Sequence, residues 1–201
     1  MRNCTKRFPI TARARAGSSG ASQIPRGTLY QKRKTRYREA DENTIFDHWK
    51  KFSKYYIKEI TDDWELLAIA QHYGVPTRLL DWSRNPLVAA FFSLSADAGC
   101  DGAIFAVQDC NGLKKVKDTK WSRQSGIGFF EPDSSILRII RQGGMFTVHG
   151  PADKDLSEDS SICMKKFLIK NSAKKVMLKD IERYGVTHMH CFPNLDGVGD
   201  H

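Results

Sequence analysis

The sequence contains none of the long apolar runs or nucleotide-binding loops that would assign it to a familiar class. Its longest apolar run, residues 86–92, is far shorter than the roughly 18 to 20 residues needed to cross a bilayer. It also contains no Walker loop and no Gly-x-Gly-x-x-Gly fingerprint, which argues against a conventional ATPase or Rossmann enzyme. These absences predict a soluble protein that makes no membrane contact.

Closely spaced cysteine pairs are absent as well. The five cysteines stand at positions 4, 100, 110, 163 and 191, and no two of them form a Cys-x-x-Cys pair. An odd number of widely spaced cysteines argues against a disulfide framework and for a reducing compartment. The sequence therefore predicts a cytoplasmic protein.

Acidic residues are missing from the first 38 positions, which hold eleven Lys and Arg. The formal net charge of +9 arises from this segment, because residues 39–201 hold 21 basic and 23 acidic residues. Such a segment can contact nucleic acid non-specifically through the phosphates. Its Arg-rich, Ser-containing composition is also typical of an organelle transit peptide, and like-charge blocks are commonly solvated tails. We expect residues 1–23 to form a disordered basic segment.

Helical patterns dominate the first half of the chain. Apolar residues at helical spacing predict an amphipathic helix over residues 42–60. Residues 62–73 predict a buried helix, followed by a glycine that suits its C-terminal end. Residues 75–83 are interpreted as a connection. Asn85 followed by Pro86 then predicts the start of a third helix, because Asn is a good N-cap and Pro suits the first helical position.

Strand patterns follow in the second half, together with one late helix over residues 173–185. The expected strands lie within residues 102–108, 129–133, 134–150, 165–170 and 186–193. Gly143 and Gly144 interrupt the longest of these segments. Helices first and strands later indicate an α+β fold, with N-terminal helices followed by a small, mostly antiparallel sheet.

Four polar or ionisable residues, Gln71, His72, Arg78 and Asp81, stand within the apolar stretch 71–92. Such groups are costly to bury unless they satisfy one another or contact a ligand. Arg78 and Asp81 could form an ion pair between two buried helices. Alternatively, Arg78 binds a phosphate or carboxylate while Asp81 orients that group or a ribose hydroxyl. Both interpretations remain open from the sequence.

Other polar residues have two interpretations each. His72 is either a core histidine or a general base that has Asp81 as its nearby carboxylate. Gln142 precedes the glycine pair, and is either a strand residue beside a bulge or a ligand contact. Thr77 is read first as a turn or capping residue. His188 and His190 would share a strand face, but no fourth ligand follows at a usual spacing, so no metal site is predicted.

Three segments carry a resemblance to the FRG domain family. Residues 72–96, HYGVPTRLLDWSRNPLVAAFFSLSA, resemble its core, and residues 131–150 and 185–200 resemble its later segments. The similarity spans about residues 24–200, so we expect an FRG domain over residues 24–201. The family is named for an aromatic-Arg-Gly motif, which residues 13–23 do not contain. The usual first strand is therefore expected to be absent or replaced.

The resemblance implies a layout that is similar to ADP-ribosyltransferase-like folds, and hence NAD or another nucleotide as the ligand. It implies Gln142, Asp81 and His72 as catalytic candidates. The ligand-binding candidates are Arg78, Tyr73, Trp82, Gln71, Asn85 and Thr77. FRG proteins also resemble components of bacterial toxin and phage-defence systems. The alternatives are a non-catalytic binding or regulatory module, or an inactive fragment, because the aromatic-Arg-Gly motif is missing.

Overall fold

The computed structural model describes residues 11–16, 39–57, 60–95, 100–109, 115–116, 120–133, 136–151, 156, 159–160 and 162–193. The rest of the N-terminal basic segment lies outside these residues. The helices are α1 (Glu39–Ser53), α2 (Asp63–His72), α3 (Pro86–Ser95), α4 (Leu137–Gln142), α5 (Asn171–Arg183) and α6 (His188–Cys191). The strands are β1 (Thr11–Ala16), β2 (Leu79–Ser83), β3 (Gly102–Asp109), β4 (Gly126–Phe130), β5 (Gly144–Gly150) and β6 (Ile162–Ile169).

The six strands form one sheet in the order β4-β5-β2-β1-β3-β6. Each of the strand pairings in it is antiparallel. This arrangement confirms the α+β fold class and the antiparallel sheet. β2 lies near the middle of the sheet, where it pairs with β5 along its whole length.

A strand lies where we expected a disordered segment without strand structure. β1 pairs with β3 from Thr11 to Ala16 and meets β2 where Ala12 faces Ser83. The expectation for residues 1–23 is therefore wrong for these six residues. Its sequence, Thr-Ala-Arg-Ala-Arg-Ala, has no aromatic-Arg-Gly motif, so a strand is present without that motif.

The two faces of the sheet carry different hydrophobic clusters. Leu79 of β2 packs with Trp64 and Leu67 of α2 in one cluster. Leu80 and Trp82 belong to a second cluster, formed almost entirely by strand residues. Side chains alternate between the faces of a strand, so the side chain of Asp81 points to the same face as Leu79, toward the helices. Asp81 is exposed in an otherwise buried strand.

Local capping determines where the central helices begin and end, as predicted. The Asp62 carboxylate accepts a hydrogen bond from the backbone N–H of Trp64 at 2.7 Å, and α2 starts at Asp63. Gly74 follows α2 with a φ of 85°, which a residue with a side chain rarely adopts. The Asn85 side chain accepts from the backbone N–H of Leu87 at 2.9 Å and caps α3.

Several segments differ from their predicted structure or bounds. Residues 79–83 form the strand β2 rather than part of a connection. The segment 134–150 contains the short helix α4, and Gly143, with a φ of 57°, ends this helix before β5 starts. The segment 186–193 contains the helix α6 rather than a strand. α1 also ends at Ser53, earlier than the predicted Ile60.

Cys163, on β6, is disulfide-bonded. This bond does not fit the reducing compartment that we inferred from the cysteine spacing, and the cytoplasmic location stays a prediction. Among the described residues, Cys100 and Cys191 form no disulfide. No helix among the described residues combines the length and the apolar character that crossing a membrane requires.

Candidate functional site

A cavity of about 340 Å³ opens between α2, β2, α4 and β5. The polar side chains that line it come from all of these elements except β5, and Phe92 of α3 closes one side. Five of the residues singled out from the sequence meet at its wall: Gln71, His72, Asp81, Trp82 and Gln142. The other lining residues are Ala68, Ser83, Phe92, Arg138, Ile139, Gly144, Met145 and Phe146.

The carboxylate of Asp81 is oriented by a chain of hydrogen bonds from behind the cavity. Gln71 Nε2 donates to Asp81 Oδ1 at 2.6 Å. The amide oxygen of Gln71 accepts a hydrogen bond from the Thr77 hydroxyl, and that hydroxyl in turn accepts from the backbone N–H of Leu79 at 3.1 Å. Thr77 is fully buried and does not line the cavity. It therefore acts by orienting the amide of Gln71.

His72 reaches the same cavity from the last turn of α2. Its pKa is lowered from 6.5, first by burial of the imidazole and second by the positive charge of Arg138, while the charge of Asp81 acts in the opposite direction. A lowered pKa keeps this imidazole neutral at pH 7. A neutral imidazole beside a carboxylate can accept or donate a proton.

Arg138 is a lining residue that the sequence analysis did not identify as a candidate. It lies on α4, and its guanidinium carbon is 4.4 Å from the ring centroid of Phe192. The ring of Phe192 stacks on His188 at a centroid distance of 4.5 Å. The aromatic contact holds the cation beside the cavity. Arg138 lies within residues 131–150, one of the three segments that resemble the FRG domain, and this was the only sequence indication of its role.

Gln142 is the last residue of α4 and not a strand residue. The side-chain Nε2 of Gln142 donates to the backbone carbonyl of Cys191 at 2.8 Å. The backbone carbonyl of Gln142 accepts a hydrogen bond from the Ser83 hydroxyl at 2.6 Å. His190 Nε2 lies 3.0 Å from the carbonyl of Arg141, to which it can donate a hydrogen bond. These contacts tie α4 to α6 and to the end of β2, and they leave Gln142 at the cavity wall.

Arg78 does not contact Asp81, so the predicted ion pair between them is wrong. Its guanidinium and its backbone N–H both bind the carboxylate of Glu42 on α1, with the backbone N–H 2.7 Å from Oε1 and Nε 2.9 Å from Oε2. The guanidinium also lies over the ring of Trp121, at 5.5 Å from its centroid. Arg78 is buried and is not among the residues that line the cavity.

The remaining candidates occupy different places. Trp82 lines the cavity but is only 3% exposed, and its indole N–H donates to the Thr147 hydroxyl at 2.9 Å. Tyr73 is 69% exposed and contacts the ring of His72, outside the cavity lining. Asn85 caps α3 and is also outside the lining. The structure thus places Tyr73 and Asn85 away from this wall.

His188, His190 and Cys191 are on α6 rather than on a strand. In the part of the chain that the structure describes, no group of three or more His, Cys, Asp or Glu side chains is arranged to hold a metal ion. The thiol of Cys191 is buried, and burial raises its pKa to about 11. A protonated thiol of this kind is a poor nucleophile.

The comparison with protein families supports the central part of the resemblance. The FRG domain matches residues 17–101, a range that contains α2, β2 and the residues Gln71, His72 and Asp81. No curated protein and no solved structure matches the chain. The match ends before α4, so the resemblance of residues 131–200 stays a prediction. Residues 17–101, fewer than half of the 201 residues, thus match the FRG domain family that the sequence resembles.

Proposed function

We propose that the cavity binds a nucleotide, with NAD as the candidate ligand. The observation that supports this proposal is the meeting of a cation, a carboxylate and a neutral imidazole, from Arg138, Asp81 and His72, in one cavity of about 340 Å³. Ligand pockets commonly measure roughly 300 to 1,000 Å³. A cavity at the lower end of this range suits one nucleoside and its phosphate rather than a whole dinucleotide. The remainder of NAD would extend beyond the cavity.

Each part of a nucleotide has a matching group at the wall. Arg138 supplies a cation for a phosphate, because a guanidinium binds phosphate oxygens through paired N–H donors. The carboxylate of Asp81, oriented by Gln71, accepts hydrogen bonds from ribose hydroxyls. Phe92 and Met145 supply apolar surface for the base or the nicotinamide ring. Arg78 has no part in this assignment because it is paired with Glu42.

ADP-ribosyl transfer is the reaction that this arrangement would serve. The bond between the ribose carbon and the nicotinamide nitrogen breaks, nicotinamide leaves with the bonding electrons, and positive charge develops on the ribose. The Asp81 carboxylate would stabilise that charge. Neutral His72 would take the proton of the attacking acceptor. Gln142 would contact the ribose while its Nε2 stays bonded to Cys191. Chemistry of this kind suits a component of a bacterial toxin or phage-defence system.

The second candidate is a module that binds a nucleotide without turning it over. The observation that favours it is the sequence of β1, which reads Thr-Ala-Arg-Ala-Arg-Ala and lacks the aromatic-Arg-Gly motif of the family. Under this alternative, ligand binding would serve recognition or regulation. The two candidates share the cavity, and they differ in whether nicotinamide is released.

The test is calorimetric titration of the chain with NAD and with ADP, together with three variants. Arg138→Gln and Asp81→Asn each remove one charge at the cavity, whereas Arg141→Gln removes an exposed charge from the same helix and serves as the matched control. Hydrogen bonds to charged groups contribute about 1.5 to 3 kcal/mol, so each cavity variant should weaken binding by about 10- to 100-fold. Arg141→Gln should bind as the unmodified chain does.

A chromatographic assay for free nicotinamide then separates the two candidates. Saturable NAD binding with nicotinamide release supports transfer or hydrolysis, and binding without release supports the non-catalytic module. If the folded chain binds neither NAD nor ADP, the nucleotide proposal is wrong. If Arg138→Gln and Asp81→Asn bind as tightly as the unmodified chain, the ligand occupies a different site.

A further inference from the structure

The outward face of α1 carries aromatic rings and lysines together. His48, Lys51 and Phe52 lie on α1, with Lys51 three and Phe52 four residues after His48, and Lys54, Tyr55 and Tyr56 lie in the turn that follows the helix. These six residues are called the α1 stripe here. All six are exposed. Phe52 is 58% exposed, Tyr55 79% and Tyr56 89%.

The orientation of the α1 stripe is determined by the opposite face of the helix. Glu42 and Phe46 are buried there, and Glu42 is bound to Arg78. Trp49 is partly buried and packs against the same core cluster as Phe46. α1 cannot rotate to bury the stripe without breaking these contacts. Phe52 therefore stays exposed, and backbone hydrogen bonds from Tyr55 to Phe52 and from Tyr56 to Ser53 hold the turn that carries the other two rings. Grouped exposed rings commonly mark an interaction site.

The charges around the rings are mainly positive. Lys51 and Lys54 are exposed on the stripe, while the neighbouring Lys50 is paired with Asp63. Asp47, beside the stripe, is the one carboxylate within residues 47–56. The surface thus has lysines available for an anionic partner, and its rings are placed between them.

The composition of the stripe favours a nucleic acid over other anionic partners. Its six residues include no aliphatic side chain, whereas helices that bind a protein groove or a lipid surface use Leu, Ile or Met for most of their apolar contact. Exposed rings between lysines match single-stranded nucleic acid, because bases stack on the rings and phosphates meet the cations.

We propose that the α1 stripe binds single-stranded nucleic acid without sequence preference. Tyr55, Tyr56 and Phe52 stack against bases, and Lys51 and Lys54 contact phosphates. This site is separate from the cavity between α2 and β5. It is also separate from the basic segment of residues 1–38, whose predicted phosphate contacts need no aromatic side chain.

The test measures fluorescence anisotropy of labelled twenty-nucleotide oligo-dT and oligo-U probes with the full chain. Tyr55→Ala/Tyr56→Ala removes two rings, and Lys51→Gln/Lys54→Gln removes two cations. Tyr73→Ala and Lys175→Gln/Lys179→Gln are the matched controls, because these residues are exposed elsewhere on the surface. The ring variant should lose about tenfold or more in affinity, since each stacked base contributes substantially to binding. The lysine variant should bind more weakly and with a shallower salt dependence.

The controls should bind as the unmodified chain does, and circular dichroism verifies that each variant is folded. The proposal is overturned if the ring variant and the unmodified chain bind equally, because the basic segment then accounts for the affinity. It is also overturned if the Lys175/Lys179 control loses as much affinity as the stripe variants. Binding to phosphatidylglycerol vesicles, lost in the stripe variants and without any oligonucleotide binding, would assign the stripe to a membrane surface instead.

Discussion

Arg78 and Glu42 form an ion pair inside the protein, with Nη2 of the guanidinium 2.8 Å from Oε2 of the carboxylate and both side chains almost inaccessible to solvent. The second carboxylate oxygen accepts the backbone N–H of Arg78, so Glu42 satisfies the backbone as well as the charge. This pair joins α1 to the start of β2. Because Arg78 is paired with Glu42, Asp81 is not held in an ion pair with Arg78.

Removing one partner of this pair should strongly destabilise the fold. Glu42→Gln leaves the Arg78 cation buried without its counter-charge, and breaking such a pair typically costs about 3 to 5 kcal/mol in the free energy of unfolding. The double variant Glu42→Leu/Arg78→Met should lose less stability than Glu42→Leu or Arg78→Met alone, because no uncompensated charge remains. Urea denaturation followed by tryptophan fluorescence measures these differences.

The exposed pair of Lys170 with Asp101 provides the control for that series. Lys170→Ala should leave the unfolding midpoint almost unchanged, because solvent screens an exposed pair. A Glu42→Gln protein as stable as the unmodified chain would show that the buried pair makes no net contribution to stability.

The pKa of His72 should lie below its ordinary value in the folded chain, and NMR titration of its ring protons measures it directly. Burial and the charge of Arg138 lower this pKa, and Asp81 raises it. Arg138→Gln should therefore raise the pKa of His72, and Asp81→Asn should lower it further. Opposite shifts from these two variants would be specific to the cavity. A His72 midpoint at or above 6.5 in the unmodified chain contradicts the assignment.

The lowered pKa of His72 also predicts how stability depends on pH. The unfolded chain binds a proton at this residue near pH 6.5, whereas the folded chain binds it only at lower pH. The stabilisation is therefore complete above pH 6.5, and it is lost as the pH falls from 6.5 to the folded pKa. His72→Gln should flatten this part of the stability profile, measured by urea denaturation between about pH 5 and 7. An unchanged profile would assign the pH dependence to other groups.

The two free thiols of the described chain should differ in their reaction with iodoacetamide. Cys191 is buried and its pKa is raised to about 11, so little thiolate forms at pH 8. Cys100 is partly exposed and should react first. Peptide mass spectrometry after timed alkylation of the native protein measures both rates, and labelling in denaturant provides the control. Equal rates in the native state would mean that α6 opens readily from α4.

The parts of the fold that the sequence predicted depend on neighbouring residues. Gly74 ends α2 and Asn85 caps α3 through contacts within a few positions of each residue. The parts that differ depend on distant ones. β2 has only five residues, and its partners β5 and β1 lie far from it in the chain. The apolar run of α4 contains two isoleucines, and a short run of this kind does not distinguish helix from strand.

In the candidate site as well, the sequence marked residues with a local pattern and missed those whose contacts are distant in the chain. Gln71, His72 and Asp81 stood out because they are polar within an apolar stretch, and they meet at one cavity wall. The partner of Arg78 is Glu42, which lies on another helix and had no local pattern to mark it. Arg138 was not singled out because its position depends on Phe192, which follows β5, β6, α5 and α6 in the chain.

The position of β1 limits how the N-terminus of this chain can be processed. β1 supplies six residue pairs to β3 and also meets β2, so it is what connects the β4-β5-β2 part of the sheet to the β3-β6 part. During synthesis, the single residue pair of β1 with β2 can form first, and its six pairs with β3 need a later part of the chain. Proteolysis after Ala16 would divide the sheet into three strands and two. Any cleavage that removes residues 11–16 would take away this connecting strand.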